Sequence, residues 1–99
     1  MFGMSMTFIE CPEAREMVAN GAQLVDVRSP AEFGMGSIPG SLNVPLQAIY
    51  AAEQHLDKSK PVIVYCASGM RSEQAKGVLS QLGFNAVHNL GSVSKYLSC

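Results

Sequence analysis

The chain has no apolar run longer than a few residues, far short of the ~20 needed to span a bilayer, so a membrane helix is excluded. It is also poor in charge: Asp, Glu, Lys and Arg make up 15% of 99 residues, against roughly 25% in an average soluble protein. Seven basic residues face eight acidic ones, and a net charge of −1 leaves no electrostatic footprint for nucleic acid or an anionic membrane surface. Met1 to Met6 contain neither a basic segment nor a long apolar one, so no export signal is expected and residues 1–5 read as a loose tail. Cys-x-x-Cys is absent, and the three cysteines are odd in number and widely spaced. That argues against a disulfide framework and for a reducing compartment, hence a cytoplasmic protein. Linkers, low-complexity tracts and internal repeats are missing too, so residues 1–99 read as one domain. What is present is apolar residues, 47% of the chain and enough to build a core.

Short apolar strands alternate with helical patterns, which predicts an α/β domain with a largely parallel sheet. Thr7-Phe8-Ile9 is a weak first strand. Pro12 opens a helix with Ala14, Met17 and Val18 on its apolar stripe, and Gly21 stops it. Gln23 to Val27 is a second strand. Ser29-Pro30-Ala31-Glu32 has the form of a capping box with Pro at the first helical position. Ser41 to Val44 is a short third strand, and Leu46, Ile49, Tyr50 and Leu56 give the next helix one apolar face. Val62-Ile63-Val64-Tyr65 is the strongest strand signal and reads as central. Ser72 to Leu82 is a helix ended by Gly83, and Ala86-Val87-His88 is a last strand, making five strands and four helical segments.

Cys66 follows the central strand directly, and five residues separate it from Ser72 at the predicted helix start. Such a strand–loop–helix turn lies at the carboxyl edge of the sheet, where open α/β sheets place ligands. Backbone N–H groups of Ala67, Ser68, Gly69, Met70 and Arg71 can point inward as an anion cradle, supported by the positive end of the helix. A thiol held there has a pKa below the ~8.5 of free cysteine. Gly69 fits because a tight cradle needs a residue with positive φ. A thiolate ringed by amide donors can attack an electrophilic sulfur or a phosphorus centre. The four residues between Cys66 and Arg71 are one fewer than in cysteine phosphatases, a tighter ring that suits one sulfur atom better than a tetrahedral phosphate.

Around the loop, Arg71 is either an anion clamp or an inward partner of Asp26 or Glu32, and the inward role is favoured. Asp26 either orients the loop or serves as a simple turn carboxylate. Arg28 and Glu32 are expected to pair. Ser72 is expected to cap its helix, Ser68 is within reach of a substrate, and Met70 is either an apolar wall or exposed. Cys11 and Cys99 have no cradle around them and read as bystanders. His55 and His88 lack metal-site spacing with the cysteines, so no metal is expected.

Val64-Tyr65-Cys66-Ala67-Ser68-Gly69-Met70-Arg71-Ser72 resembles the active-site loop of rhodanese-domain sulfurtransferases. Leu24 to Arg28 with Pro30-Ala31-Glu32-Phe33, and Gly36 to Pro45, resemble two further family signatures in the same order. The resemblance implies a single rhodanese-like domain with a central five-stranded parallel sheet flanked by helices on both faces. It also implies a ping-pong reaction through a Cys66 persulfide and no cofactor. The donor would be thiosulfate, a persulfide or a polysulfide, and the acceptor cyanide, a thiol or a protein persulfide carrier. With one cation in the loop, persulfides and polysulfides are the expected better donors. Ser37 in place of a frequent His, Ser92 in place of a second Gly, and Tyr96 in place of a frequent Trp depart from the family pattern. The rival expectations are a non-catalytic or regulatory binding module on the same fold, and a cysteine phosphatase or arsenate reductase-like enzyme.

Overall fold

A computed structural model describes residues 6–99; the predicted loose tail at 1–5 lies outside the described residues. Four strands, β1 (Gln23–Asp26), β2 (Leu42–Asn43), β3 (Val62–Cys66) and β4 (Val87–Ser92), form an all-parallel sheet in the order β2-β1-β3-β4. Every residue of β3 is buried, as its unbroken apolar run requires of a strand covered on both faces. Val62, Val64 and Cys66 face one core with Val25, Ile49, Leu79 and Phe84; Ile63 and Tyr65 face the other with Leu24, Ile38, Leu90 and Tyr96.

The helices divide between these faces. α1 (Cys11–Ala19) and α4 (Val93–Leu97) cover the Ile63 side, while α3 (Met70–Gln81) and a 3-10 helix at Leu46–Gln54 cover the Val64 side. α2 (Pro30–Gly34) carries the expected capping box: the Ser29 hydroxyl accepts from the Glu32 N–H, and the Glu32 carboxylate accepts from the Ser29 N–H. Among the described residues no helix is long and apolar enough to cross a membrane.

Several expectations are corrected. The sheet has four strands instead of five, because Thr7–Ile9 contributes a single parallel bridge, Phe8 to Asn89. α1 begins at Cys11 and Pro12 has no N–H to donate, so too few residues remain to form a strand. The helix predicted from Leu46 onward is a 3-10 helix kinked at Ala51. Its apolar residues Leu46, Ile49 and Ala52 recur every three positions, the spacing that aligns on one side of a 3-10 turn. α4 is additional: five residues are too few for helical periodicity to register, and its signal is the Ser92 hydroxyl accepting from the Lys95 N–H. Finally, Cys11 and Cys99 are not bystanders but are disulfide-bonded, with Cα atoms 6.2 Å apart across 88 positions of sequence. The N-terminal segment returns beside β4, and α4 brings the other end of the chain back to the same place.

Candidate active site

Cys66 ends β3, and the chain reaches α3 after only three residues. Gly69 caps that helix in the left-handed region at φ 101°, and its N–H points back to Cys66 Sγ at 2.9 Å. A side chain is disfavoured there twice over, because a Cβ would also stand 3.0 Å from two carbons of the Phe8 ring. Ser72 does not cap the helix as expected. α3 starts two residues earlier than predicted, which turns Ser72 inward, fully buried, with its hydroxyl 3.4 Å from the Cys66 sulfur.

The sulfur is itself fully buried. Burial pushes the Cys66 thiol up, but hydrogen bonds from the Ser72 hydroxyl and from the N–H groups of Ser72, Gly69 and Ser68 outweigh it. The net result is a pKa below that of a free thiol. Of the proposed cradle, Ser68 and Gly69 thus supply donors; Ala67 and Met70 are exposed, and Met70 forms no closed wall.

Arg71 takes the inward role, with Glu32 and not Asp26. Its two terminal nitrogens donate to the two Glu32 oxygens at 2.7 and 3.0 Å in a bidentate pair. Arg71, reinforced by Ser29, holds the Glu32 carboxyl at about 2. The expected Arg28–Glu32 pair is absent because Arg28 folds back onto Asp26. Its backbone N–H, Nε and Nη2 all donate to that carboxylate at 2.7–3.0 Å, and Nη2 also reaches the Gly36 carbonyl at 2.7 Å. Asp26 is fully buried. It is therefore neither a simple turn carboxylate nor a direct partner of the cysteine loop. It braces the segment that presents α2, and α2 presents Glu32 to Arg71.

Asn89 is the residue that sequence reasoning missed. It is buried in β4, donates through Nδ2 to the Gly69 carbonyl at 3.2 Å and to Glu73 at 2.9 Å, and accepts the Gly91 N–H at 2.9 Å. Holding the carbonyl of Gly69 fixes the residue whose own N–H donates to the sulfur. The available signal was an amide between Val87 and Leu90 next to the expected last strand, since a buried polar residue implies partners. Among the described residues no group of three or more His, Cys, Asp or Glu side chains is placed to hold a metal ion. A cavity of about 230 Å³ lined by Val18, Leu24, Leu42, His55 and Leu56 includes none of the cysteine-loop residues.

Comparison with known proteins adds to this geometry. The family model of the rhodanese-like domain matches residues 10–99. A sulfurtransferase of Allochromatium vinosum is 43% identical over 68% of this chain, and the match spans 63% of that protein. The human thiosulfate:glutathione sulfurtransferase is 33% identical over 82% of this chain and 84% of its own length. A solved human single-domain sulfurtransferase superposes with a TM-score of 0.77 at 29% identity, covering 95% of this chain and 97% of that one.

Proposed function

The chain belongs to the rhodanese-like domain family, and from that premise we propose that it is a sulfurtransferase whose Cys66 carries the sulfur as a persulfide. The observation that carries the reading is the buried Cys66 sulfur facing the Gly69 N–H and the Ser72 hydroxyl, with its pKa lowered against the effect of burial. A buried cysteine with a raised pKa would have favoured the non-catalytic module; the lowered pKa supports a nucleophile instead.

In the first half-reaction the Cys66 thiolate attacks the sulfane sulfur of the donor. The sulfur–sulfur bond of the donor breaks, and the leaving group, sulfite or a thiolate, departs with the bonding pair. The outer sulfur of Cys66–S–S⁻ then takes the place of the thiolate before the loop N–H groups. In the second half-reaction an acceptor thiolate or cyanide attacks that sulfur and Cys66 leaves as thiolate. Ser68 and Gly69 supply the cradle's donors, Ser72 faces the sulfur, Arg71 ties the loop to Glu32, and Asp26, Arg28 and Glu32 hold the neighbouring loop. Thiosulfate, persulfides and polysulfides are the donor class, and low-molecular thiols, cyanide or a protein persulfide carrier the acceptors. Because Glu32 already engages both terminal nitrogens of Arg71, doubly charged thiosulfate is the weaker donor.

The cytoplasmic placement is part of the proposal, although unpaired cysteines no longer support it. In that compartment the Cys11–Cys99 bond would be transient and redox-sensing. Initial rates over a matrix of donor and acceptor concentrations test the function. Parallel double-reciprocal lines, abolished in Cys66→Ser, are expected; intersecting lines, or turnover retained in the variant, contradict it.

A further inference from the structure

The Cys11–Cys99 bond takes no part in the reaction above, yet the fold ties it to the Cys66 loop through Phe8. The N-terminal segment runs parallel to β4 with Phe8 opposite Asn89, and Ser92, three residues past Asn89, pairs with Cys66. Cys11, three residues past Phe8, opens α1, which covers the sheet face opposite the one that Cys66 faces. The Phe8 ring is packed on the two glycines Gly69 and Gly91. Lys95 of α4 donates to the Ile9 carbonyl at 2.6 Å and stands 5.6 Å from the centre of the Phe8 ring. Arg15 of α1 donates to the Tyr96 carbonyl at 2.8 Å. The disulfide closes this set covalently, joining the start of α1 to Cys99, two residues beyond the end of α4.

The bond is also asymmetric. Cys99 is exposed, whereas Cys11 is 4% exposed, so an incoming thiolate reaches the Cys99 sulfur. Cys11 is the first residue of α1, and its sulfur is the leaving group in that attack. A thiolate RS⁻ attacking Cys99 Sγ breaks the disulfide, forms RS–S–Cys99 and expels the Cys11 thiolate. A second RS⁻ then forms RSSR and releases the Cys99 thiolate, which the Arg15 Nε faces at 3.3 Å. Two thiols are oxidised, the protein bond gains two electrons, and each released thiolate takes a proton from solvent as its pKa dictates.

We propose that the Cys11–Cys99 bond is a thiol-reactive lock on the Cys66 loop. Closed, it holds Phe8 against the Gly69 turn and keeps Cys66 buried. Opened by a low-molecular thiol of the acceptor class, it frees α4 and residues 6–10 to move and lets reagents reach Cys66. This rests on Cys66 being a reactive thiol, so the test reads thiol access separately from sulfur transfer.

Cys66 alkylation by iodoacetamide, followed by peptide mass, is compared in three samples: air-oxidised protein, protein reduced with dithiothreitol and desalted under argon, and Cys99→Ser without reductant. Reduction should release two further thiols and speed Cys66 alkylation at least about fivefold, the low end of ordinary site-to-site coupling. Cys99→Ser should match the reduced sample, with Cys11→Ser as the substitute if it folds poorly. Three free thiols in the air-oxidised protein, or a smaller change in rate, overturns the lock. A protein that shows the lock yet moves no sulfur refutes the sulfurtransferase reading alone.

Discussion

Replacing Gly69 by alanine perturbs the site at the point where two constraints meet. The backbone there has φ 101°, a left-handed conformation that costs an L-residue about 1–2 kcal/mol. The new methyl would also stand 3.0 Å from two Phe8 ring carbons, and crowding of this kind costs about 1–3 kcal/mol. Together these predict a loss of about 2–5 kcal/mol, a large share of the total stability of a small domain. The same shift turns the Gly69 N–H away from the sulfur it meets at 2.9 Å. Loss of a hydrogen bond to the thiolate then raises the Cys66 pKa. Urea unfolding measures the first effect and the pH dependence of ultraviolet thiolate absorbance the second. Phe8→Leu in the same background relieves the crowding, judged against Phe8→Leu alone, and leaves only the strain of the left-handed backbone. A Gly69→Ala protein within about 0.5 kcal/mol of wild type, with an unchanged thiol midpoint, would refute the reasoning.

Other residues carry separate expectations. Asn89→Ala leaves the Gly91 N–H without its partner and the Gly69 carbonyl with the Glu73 N–H alone, which should cost about 1–3 kcal/mol in urea unfolding and raise the thiol midpoint. Ser72→Ala removes the hydroxyl that faces the sulfur, so the pH at which Cys66 is half-reactive toward iodoacetamide should rise. The Glu32 carboxyl lies at about 2 in the fold against 4.5 ordinarily, so its stabilising contribution is complete above the ordinary value and lost as pH falls toward the folded one. Acid unfolding should therefore show a shallower decline in Glu32→Gln than in wild type across that window. Cys99→Ser removes a cross-link spanning most of the chain and should lower stability under oxidising conditions by about 2–4 kcal/mol, with no difference once wild type is reduced.

Features encoded by neighbouring residues were legible in the sequence, and features that depend on chain return were not. The central strand, the Ser29–Glu32 capping box and the positive φ of Gly69 each follow from a few contiguous residues, and each is found where expected. Arg71 and Glu32 are 39 positions apart, and two candidate partners of the same charge made the choice between Asp26 and Glu32 undecidable until Arg28 was seen to occupy Asp26. Cys11 and Cys99 meet only because the N-terminal segment runs beside β4 and α4 follows it, a proximity no local pattern records. Asn89 lay one residue past the expected last strand, Ala86 to His88, and its function became visible only when β4 was set against the Gly69 loop.

The claim that Cys66 holds transferred sulfur is tested most directly by intact mass. The protein is exposed to an inorganic polysulfide under argon, desalted and weighed, then treated with cyanide and weighed again. A gain of one sulfur atom that maps to Cys66, is reversed by cyanide and is absent from Cys66→Ser is the predicted result. An unmodified wild-type protein, or a sulfur found on the variant as well, would contradict the account.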